Sequence, residues 1–481
     1  MTGGSNFWDS SVWSLMIELT ILLVGMLTAN MLRRLIRPLR QSLVPSAVLG
    51  GFLILIANLV YKNITGDSMF TKVTMETLTY HGLGLGFVAV ALRQSERQKN
   101  TKANAEVFNS GLTTVSSYLM QGLLGLGITL GLFYAMGSWP ASGLLLPMGY
   151  GQGPGQAYNW GHIYEMATTY ETGPFLYGRS FGLTIAAMGF ISASFGGVIY
   201  LNRLKKKGLV NQTIINAEEM EDLSAEMITQ KGEIPLSESL DKLTVQIGLV
   251  VFTYMAAYLV MYLISLGLDN LGGFFSTTVK PLIWGFNFLF GTVMAILFKL
   301  VLRRLTKSGV IHRQYLNNFM LSRISGVMFD IMVVASIAAI DLSALTHSEF
   351  LIPMLSICVV GAVITYWQVN FISKRIFPEY RHEAFLSLYG MLTGTASTGV
   401  ILAREIDPLF NTPAVSNLIY QQLWAIVFGF PMLMLLGFAP ITLGNAWITL
   451  GALAVLFAGI NVLLFRRQIF GKRRSNGRLQ G

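Results

Sequence analysis

The sequence predicts an all-α polytopic membrane protein: two inverted five-helix repeats, each with a re-entrant hairpin, plus one extra C-terminal transmembrane helix. Three observations point there. Of 481 residues, 53% are hydrophobic and only 12% charged, about half the ~25% charged fraction of an ordinary soluble domain. Apolar runs of roughly 20 residues, the length that crosses a bilayer, recur along the chain. A short Gly-rich motif also occurs twice, at matching places in two halves. So few charges cannot cover the surface of a water-soluble protein of this length, which excludes that class.

Windows of about 19 residues place spans at 12–32, 44–61, 75–92, 108–136, 176–201, 243–266, 281–302, 320–340, 350–372, 416–438 and 446–465, eleven in all. The third is the weakest, because Glu76 and His81 interrupt it and small residues thin its hydrophobicity. Before Ser11 the chain carries Asp9 and no Lys or Arg. It therefore lacks the basic start of a cleaved signal peptide, and the first run is expected to remain as a span. Two further apolar stretches, 141–164 and 384–406, are broken by Gly and polar residues and are too short to cross twice. Cys358 stands alone in an apolar run, as a small hydrophobe would.

With the N-terminus outside, the inward loops collect nearly all of the 34 Lys and Arg residues. Examples are Arg33, Arg34, Arg37 and Arg40, then Arg93, Arg97, Lys99 and Lys102, then Arg203, Lys205, Lys206 and Lys207. Only Lys62, Lys72, Arg179 and Lys280 fall outside, with Arg404 set aside in a broken stretch. The net charge of +10 is then mainly a topology signal with the C-terminus cytoplasmic. Its scatter over many loops argues against nucleic acid as a partner. Residues 208–242 are rich in acid (Glu218, Glu219, Glu221, Asp222, Glu226, Glu233, Glu238, Asp241) and read as a cytoplasmic linker. It separates a first repeat, 1–207, from a second, 243–440; residues 441–481 add the extra span and a basic tail. Five spans beginning outside, then five beginning inside, mark an inverted-topology secondary transporter.

Between the fourth and fifth spans of each half lies the repeated motif. The first copy runs Tyr150-Gly151-Gln152-Gly153-Pro154-Gly155-Gln156-Ala157 and the second Tyr389-Gly390-Met391-Leu392-Thr393-Gly394-Thr395-Ala396. Both contain Tyr-Gly-x-x-x-Gly-x-Ala. These glycines disfavour a regular helix, and unpaired peptide groups in hydrocarbon cost several kcal/mol each, so the backbone must face protein or a watery cavity. One copy alone would read as an ordinary turn; two copies in matching positions favour paired hairpins whose tips meet near the midplane. There the N-termini of the return arms would hold an anion, with Gln152, Gly153, Gly155, Gln156, Gly394, Thr395, Ser397 and Thr398 as substrate-binding candidates. Freed carbonyls, as at Gly151 and Gly390, and hydroxyls such as Thr393 would supply the hard oxygens a small cation needs.

These residues resemble the bacterial sodium/glutamate symporters. The landmarks are Val44-Pro45-Ser46-Ala47-Val48-Leu49-Gly50-Gly51, similar to that family's Pro-x-Pro-Val-x-Gly-Gly, and the two hairpins, similar to its Gly-Gly-His-Gly-Thr-Gly-Ala and Gly-Phe-Gly-Leu-Gly-Ala-Thr. Tyr150, Gln152, Pro154 and Leu392 depart from the family pattern, as do Ala47 and the eleventh span. The resemblance implies two inverted five-span halves in a bacterial inner membrane and sodium-coupled uptake of glutamate. The departures at the hairpin tips widen the substrate class to a carboxylate or amino acid.

Ionisable residues inside spans are functional candidates, because inserting one costs about 2.5 kcal/mol or more. Asp330, in the eighth span, is either a sodium ligand or substrate-amine partner, or pairs with Arg323. Arg404, on the return arm of the second hairpin, either clamps a carboxylate bidentately or pairs with Glu405 or Asp407. Glu18 reads as a structural hydrogen bond, His81 as a satisfied polar residue, and Glu165 and Glu171 as outer-vestibule residues.

The sequence lacks a Gly-x-x-x-x-Gly-Lys-Ser/Thr loop and a His-x-x-x-His pair on a span, so the expected protein is not an enzyme. The expectation is a sodium-coupled symporter for glutamate or a related carboxylate, with sodium as coupling ion, no cofactor, and a homodimeric assembly in the bilayer. The alternatives are a channel with paired pore loops and a sodium-independent exchanger or exporter of the same fold.

Overall fold

In the computed structural model, residues 7–93, 101–168, 170–209, 241–273, 275–408 and 411–469 are described. The acidic linker, but for its ends, and the basic tail from 470 lie outside them, as do Arg97 and Lys99. The described residues are helical, without strands. Among the described residues, eight helices are long and apolar enough to cross a membrane: Val12–Leu35, Ser46–Thr65, Asn104–Met136, Gly178–Lys206, Lys242–Leu271, Asn318–Ala338, Ser348–Ile376 and Leu443–Leu464. The chain is a multi-pass membrane protein.

The other three expected spans are also helical, and each falls short for a physical reason. Lys72–Leu92 carries Gly82, Gly84 and Gly86 and buries ten of its residues, so it needs little lipid-facing apolar surface. The seventh is interrupted at Phe286, leaving Lys280–Gly285 and Asn287–Lys307, whose last turn is basic. The tenth is broken at Gln421, and its apolar part, Gln422–Phe438, has 17 residues. At 1.5 Å per residue that is about 25 Å, under the ~30 Å of a hydrocarbon core.

The chain divides into two compact units, each drawing on both halves: one comprises Met1–Gly25, Ile56–Arg97 and Gln212–Ala338, the other Met26–Leu55, Gln98–Asn211 and Ala339–Gly481. In the first unit the glycines of Lys72–Leu92 admit neighbours. A Cβ on Gly82 would press on the Met328 carbonyl, one on Gly84 on the Tyr254 ring, and one on Gly86 on the Phe329 ring. Val88, Ala89 and Leu92 then join Val250, Ala295, Leu321 and Ile324 in its core. Glu18 accepts hydrogen bonds from the Thr71 N–H and hydroxyl. It thus holds the start of Lys72–Leu92, whose N-cap Thr71 makes no side-chain bond to the helix's own N–H groups, and so has the structural role expected of it. The Asp241 carboxylate caps Lys242–Leu271 through the N–H groups of Leu243 and Thr244.

The second unit holds both broken stretches. The first consists of a 3-10 turn, Ser142–Leu144, and the helices Leu145–Tyr150 and Pro154–Met166; the second, of Arg381–Thr393 and Ala396–Arg404. Both pack on the helix Gly178–Lys206. A Cβ on Gly182 would collide with the Ala157 carbonyl, one on Gly189 with the Thr393 carbonyl, and one on Gly196 with the Tyr389 ring. Positions seven apart drift only about 20° around a helix. The three gaps therefore stack along one face, about 10 Å apart.

Gly189→Ala should lower the thermal stability of the full chain in detergent. A methyl improves helix propensity by about 1 kcal/mol, but overpacking against a carbonyl costs about 1–3 kcal/mol. Gly248→Ala, with no heavy atom within 4 Å of its added Cβ, should be neutral or slightly stabilising. Equal effects of the two substitutions would contradict this packing.

Candidate functional site

The two tips touch. Gly153 takes φ +86°, left-handed backbone that suits glycine. A Cβ on it would stand 3.3 Å from Thr395 Cγ2 and 3.8 Å from the Gly394 carbonyl oxygen. Helix Pro154–Met166 starts immediately after Gly153, with Pro at its first position, and Ala396–Arg404 starts after Thr395. The first N–H groups of a helix have no intrahelical partner, so two helix N-termini open beside the tip-to-tip contact.

Each tip is held from outside itself. The Tyr118 hydroxyl donates to the Gly151 carbonyl (3.0 Å). The Gln121 amide donates to the Leu392 carbonyl (3.0 Å) and to Thr365 Oγ1 (2.9 Å). The tyrosines that open the two motif copies converge on one residue: Tyr150 Oη lies 3.0 Å from Ser192 Oγ and donates to the Cys358 carbonyl, while Tyr389 Oη donates to the Ser192 carbonyl (3.0 Å). In the second tip, Thr395 Oγ1 and Thr398 Oγ1 are 3.3 Å apart.

Of the substrate-binding candidates, Gln152, Gly153, Gly155 and Gln156 form the first tip, and Gly394, Thr395, Ser397 and Thr398 the second. Ser397 is exposed, Gln152 and Thr395 are half-buried, and the rest are buried. Gln156 is 1% exposed, yet neither its Nε2 nor its Oε1 has a hydrogen-bond partner. A buried amide left so costs about 1–3 kcal/mol.

The cation candidates are more committed. The Thr393 hydroxyl donates to the Tyr389 carbonyl (2.7 Å), the Gly390 carbonyl accepts from the Gly394 N–H, and that of Gly151 accepts from Tyr118. Each carbonyl keeps one lone pair.

Arg404, a charged candidate, is not brought to its tip. Arg404 is exposed at the last residue of its helix, about 12 Å along the axis from the tip. Asp407, one of its expected partners, accepts instead from the Asn411 N–H and from the N–H and hydroxyl of Thr412. Asp330 is exposed and belongs to the other unit. Its expected partner Arg323 lies 5.0 Å over the Phe319 ring. Glu165 pairs with Arg179 (2.8 Å), and Glu171 accepts from the Leu443 N–H (2.8 Å). His81 Nδ1 lies 3.0 Å from Tyr254 Oη.

Tyr118, Gln121, Gly189 and Ser192 escape a reading by motif. One signal for the first two was present: Ser110, Thr113, Thr114, Ser116, Ser117 and Gln121 crowd polar groups into an otherwise apolar span, and such groups face a bundle interior.

Gly153→Ala should destabilise the chain by about 1–2 kcal/mol for the left-handed backbone alone. Pairing it with Thr395→Ser, which removes the methyl a new Cβ would meet, should recover only part of the loss in a double-mutant cycle. Strict additivity would mean that the tips do not touch. No protein-family model matches the chain, and no curated protein does either.

Proposed function

We propose that the chain is a sodium-coupled secondary transporter for glutamate or a related carboxylate or amino acid, working by alternating access. The proposal includes two inverted halves whose hairpins re-enter the membrane from opposite faces. It also includes an outside N-terminus, a cytoplasmic C-terminus, a bacterial inner membrane and a homodimer. Gln156 carries this reading. A carboxamide buried in the first turn of Pro154–Met166, three residues past the tip-to-tip contact at Gly153, with donor and acceptor both unspent, is chemistry suited to a small polar solute. Its N–H group suits a carboxylate oxygen and its carbonyl an ammonium or a sodium ion. Helix N-termini favour the carboxylate further.

Remaining carbonyl lone pairs and the Thr395–Thr398 hydroxyl pair offer hard oxygens for the cation. Both hairpins lie in one compact unit built from both halves, the composition a moving body needs.

Proteoliposomes loaded without sodium should take up labelled glutamate, or another amino acid or dicarboxylate, when sodium is added outside, and should saturate. Conduction without saturation would identify a channel, and counterflow persisting without sodium an exchanger. Gln156→Leu should cut uptake efficiency roughly ten- to a hundredfold, since a hydrogen bond to a charged ligand contributes about 1.5–3 kcal/mol. The same substitution should leave thermal stability unchanged or raised, because it removes a buried unpartnered amide. Full uptake by this variant would remove Gln156 from the site.

A further inference from the structure

Away from the hairpin tips, the second unit has a cavity of about 240 Å³ at one end of its helices, lined by Arg203, Lys207, Lys374, Arg381, His382 and Tyr200 among others, with no acidic lining residue among the described residues. Arg203 lies in the last turn of Gly178–Lys206, with Lys207 just beyond it, and Lys374 lies in the last turn of Ser348–Ile376. Basic residues there offset the negative ends of helix dipoles. That account does not extend to Arg381, the first residue of Arg381–Thr393, where the dipole end is already positive. Two acids stand near this helix start, Glu383 in the same turn and Glu379 two residues before Arg381, against four cations on the wall.

The hydrogen-bond directions leave donors in excess. Arg381 Nε–H donates to His382 Nε2 (2.9 Å), so that nitrogen must hold a lone pair and the ring proton sits on Nδ1. Nδ1–H then donates to Tyr200 Oη (2.8 Å), and the Tyr200 O–H is spared for another acceptor. Likewise Arg203 donates to Tyr366 Oη (3.1 Å), which spares the Tyr366 O–H. Burial, then the charges of Arg381, Lys207 and Lys374, hold the His382 imidazole below its ordinary value, consistent with a neutral ring.

The geometry points to a binding site for a phosphate-bearing anion, formed by Arg203, Lys207, Lys374 and Arg381 with the Tyr200 and Tyr366 hydroxyls. Two chemically equivalent sources exist, a phospholipid headgroup and free phosphate. Two of the contributing helices are long and apolar enough to cross a membrane, and the basic ends of helices that span one are met by headgroups. This site is independent of the transport reading.

The test uses the full chain in neutral detergent, titrated with short-chain phosphatidylglycerol, short-chain phosphatidylcholine or inorganic phosphate, with thermal unfolding as readout. Lys207→Gln/Lys374→Gln should weaken the midpoint for the effective probe by about tenfold or more, as expected for losing two charge-assisted partners. Lys205→Gln/Lys206→Gln, the same charge change on exposed residues that do not line the cavity, should retain wild-type binding. Tyr200→Phe should weaken it while leaving every charge in place. Protection by phosphatidylglycerol beyond that by phosphate identifies a headgroup site, and equal protection by phosphate a free-anion site. The proposal is overturned if no anionic probe protects, or if both double variants bind alike, since diffuse surface charge would then suffice.

Discussion

Everything in the hairpin-bearing unit depends on two broken helices lying against one intact helix at backbone distance. That contact is possible only because Gly178–Lys206 has no side chain where each hairpin meets it: Gly182 at Ala157, Gly189 at Thr393 and Gly196 at Tyr389. Each such glycine costs about 1 kcal/mol of helix propensity relative to alanine. The return is close packing with no side-chain entropy to lose, the main attraction between helices where lipid competes equally for apolar surface. Ser192, on the same helix, then holds the tyrosines of both motif copies through its hydroxyl and its carbonyl. One helix thus sets the register of both tips.

The class of fold was legible because its cause is compositional. A chain with 12% charged residues has few ways to fold except in lipid, and long apolar runs become helices there because no other open segment satisfies its own backbone. The same logic explains where the reading fell short. Hydropathy measures exposure to lipid, so Lys72–Leu92, which is surrounded by protein and thinned by glycine, reads as weak although it is a full helix. Gln422–Phe438 reads as long because hydropathy does not register the break at Gln421.

The site was legible to a smaller extent. Breaks in the helices, and hence the residues near them, follow from glycine spacing: Gly151 and Gly394 cap the ends of the entering arms, and Gly153 caps the start of Pro154–Met166. What spacing cannot supply is which peptide and hydroxyl groups are already spent, since that is decided by partners hundreds of residues away, such as Gln121 on Leu392. Charge draws the eye for a different reason. Arg404 and Asp330 attract attention because ions in a membrane are costly; the structure places Arg404 at the exposed end of its helix and Asp330 in the other unit. Gln156, a neutral residue with no motif significance of its own, has the unspent groups.

A site made from neutral dipoles has a consequence for coupling under the proposed function. Helix N-termini contribute about half a charge each, and an amide and two hydroxyls contribute none, so neither a carboxylate nor a sodium ion would meet a full countercharge from the protein. Taking one such ion out of water alone is costly, because burial of an unpaired charge is repaid only by a partner of opposite sign. Each ion would supply that partner for the other. A fixed arginine or aspartate at the tips would remove this mutual dependence by letting one ion bind without its companion. The absence of charged side chains from the two tip segments is therefore the arrangement that strict coupling of solute to cation would require.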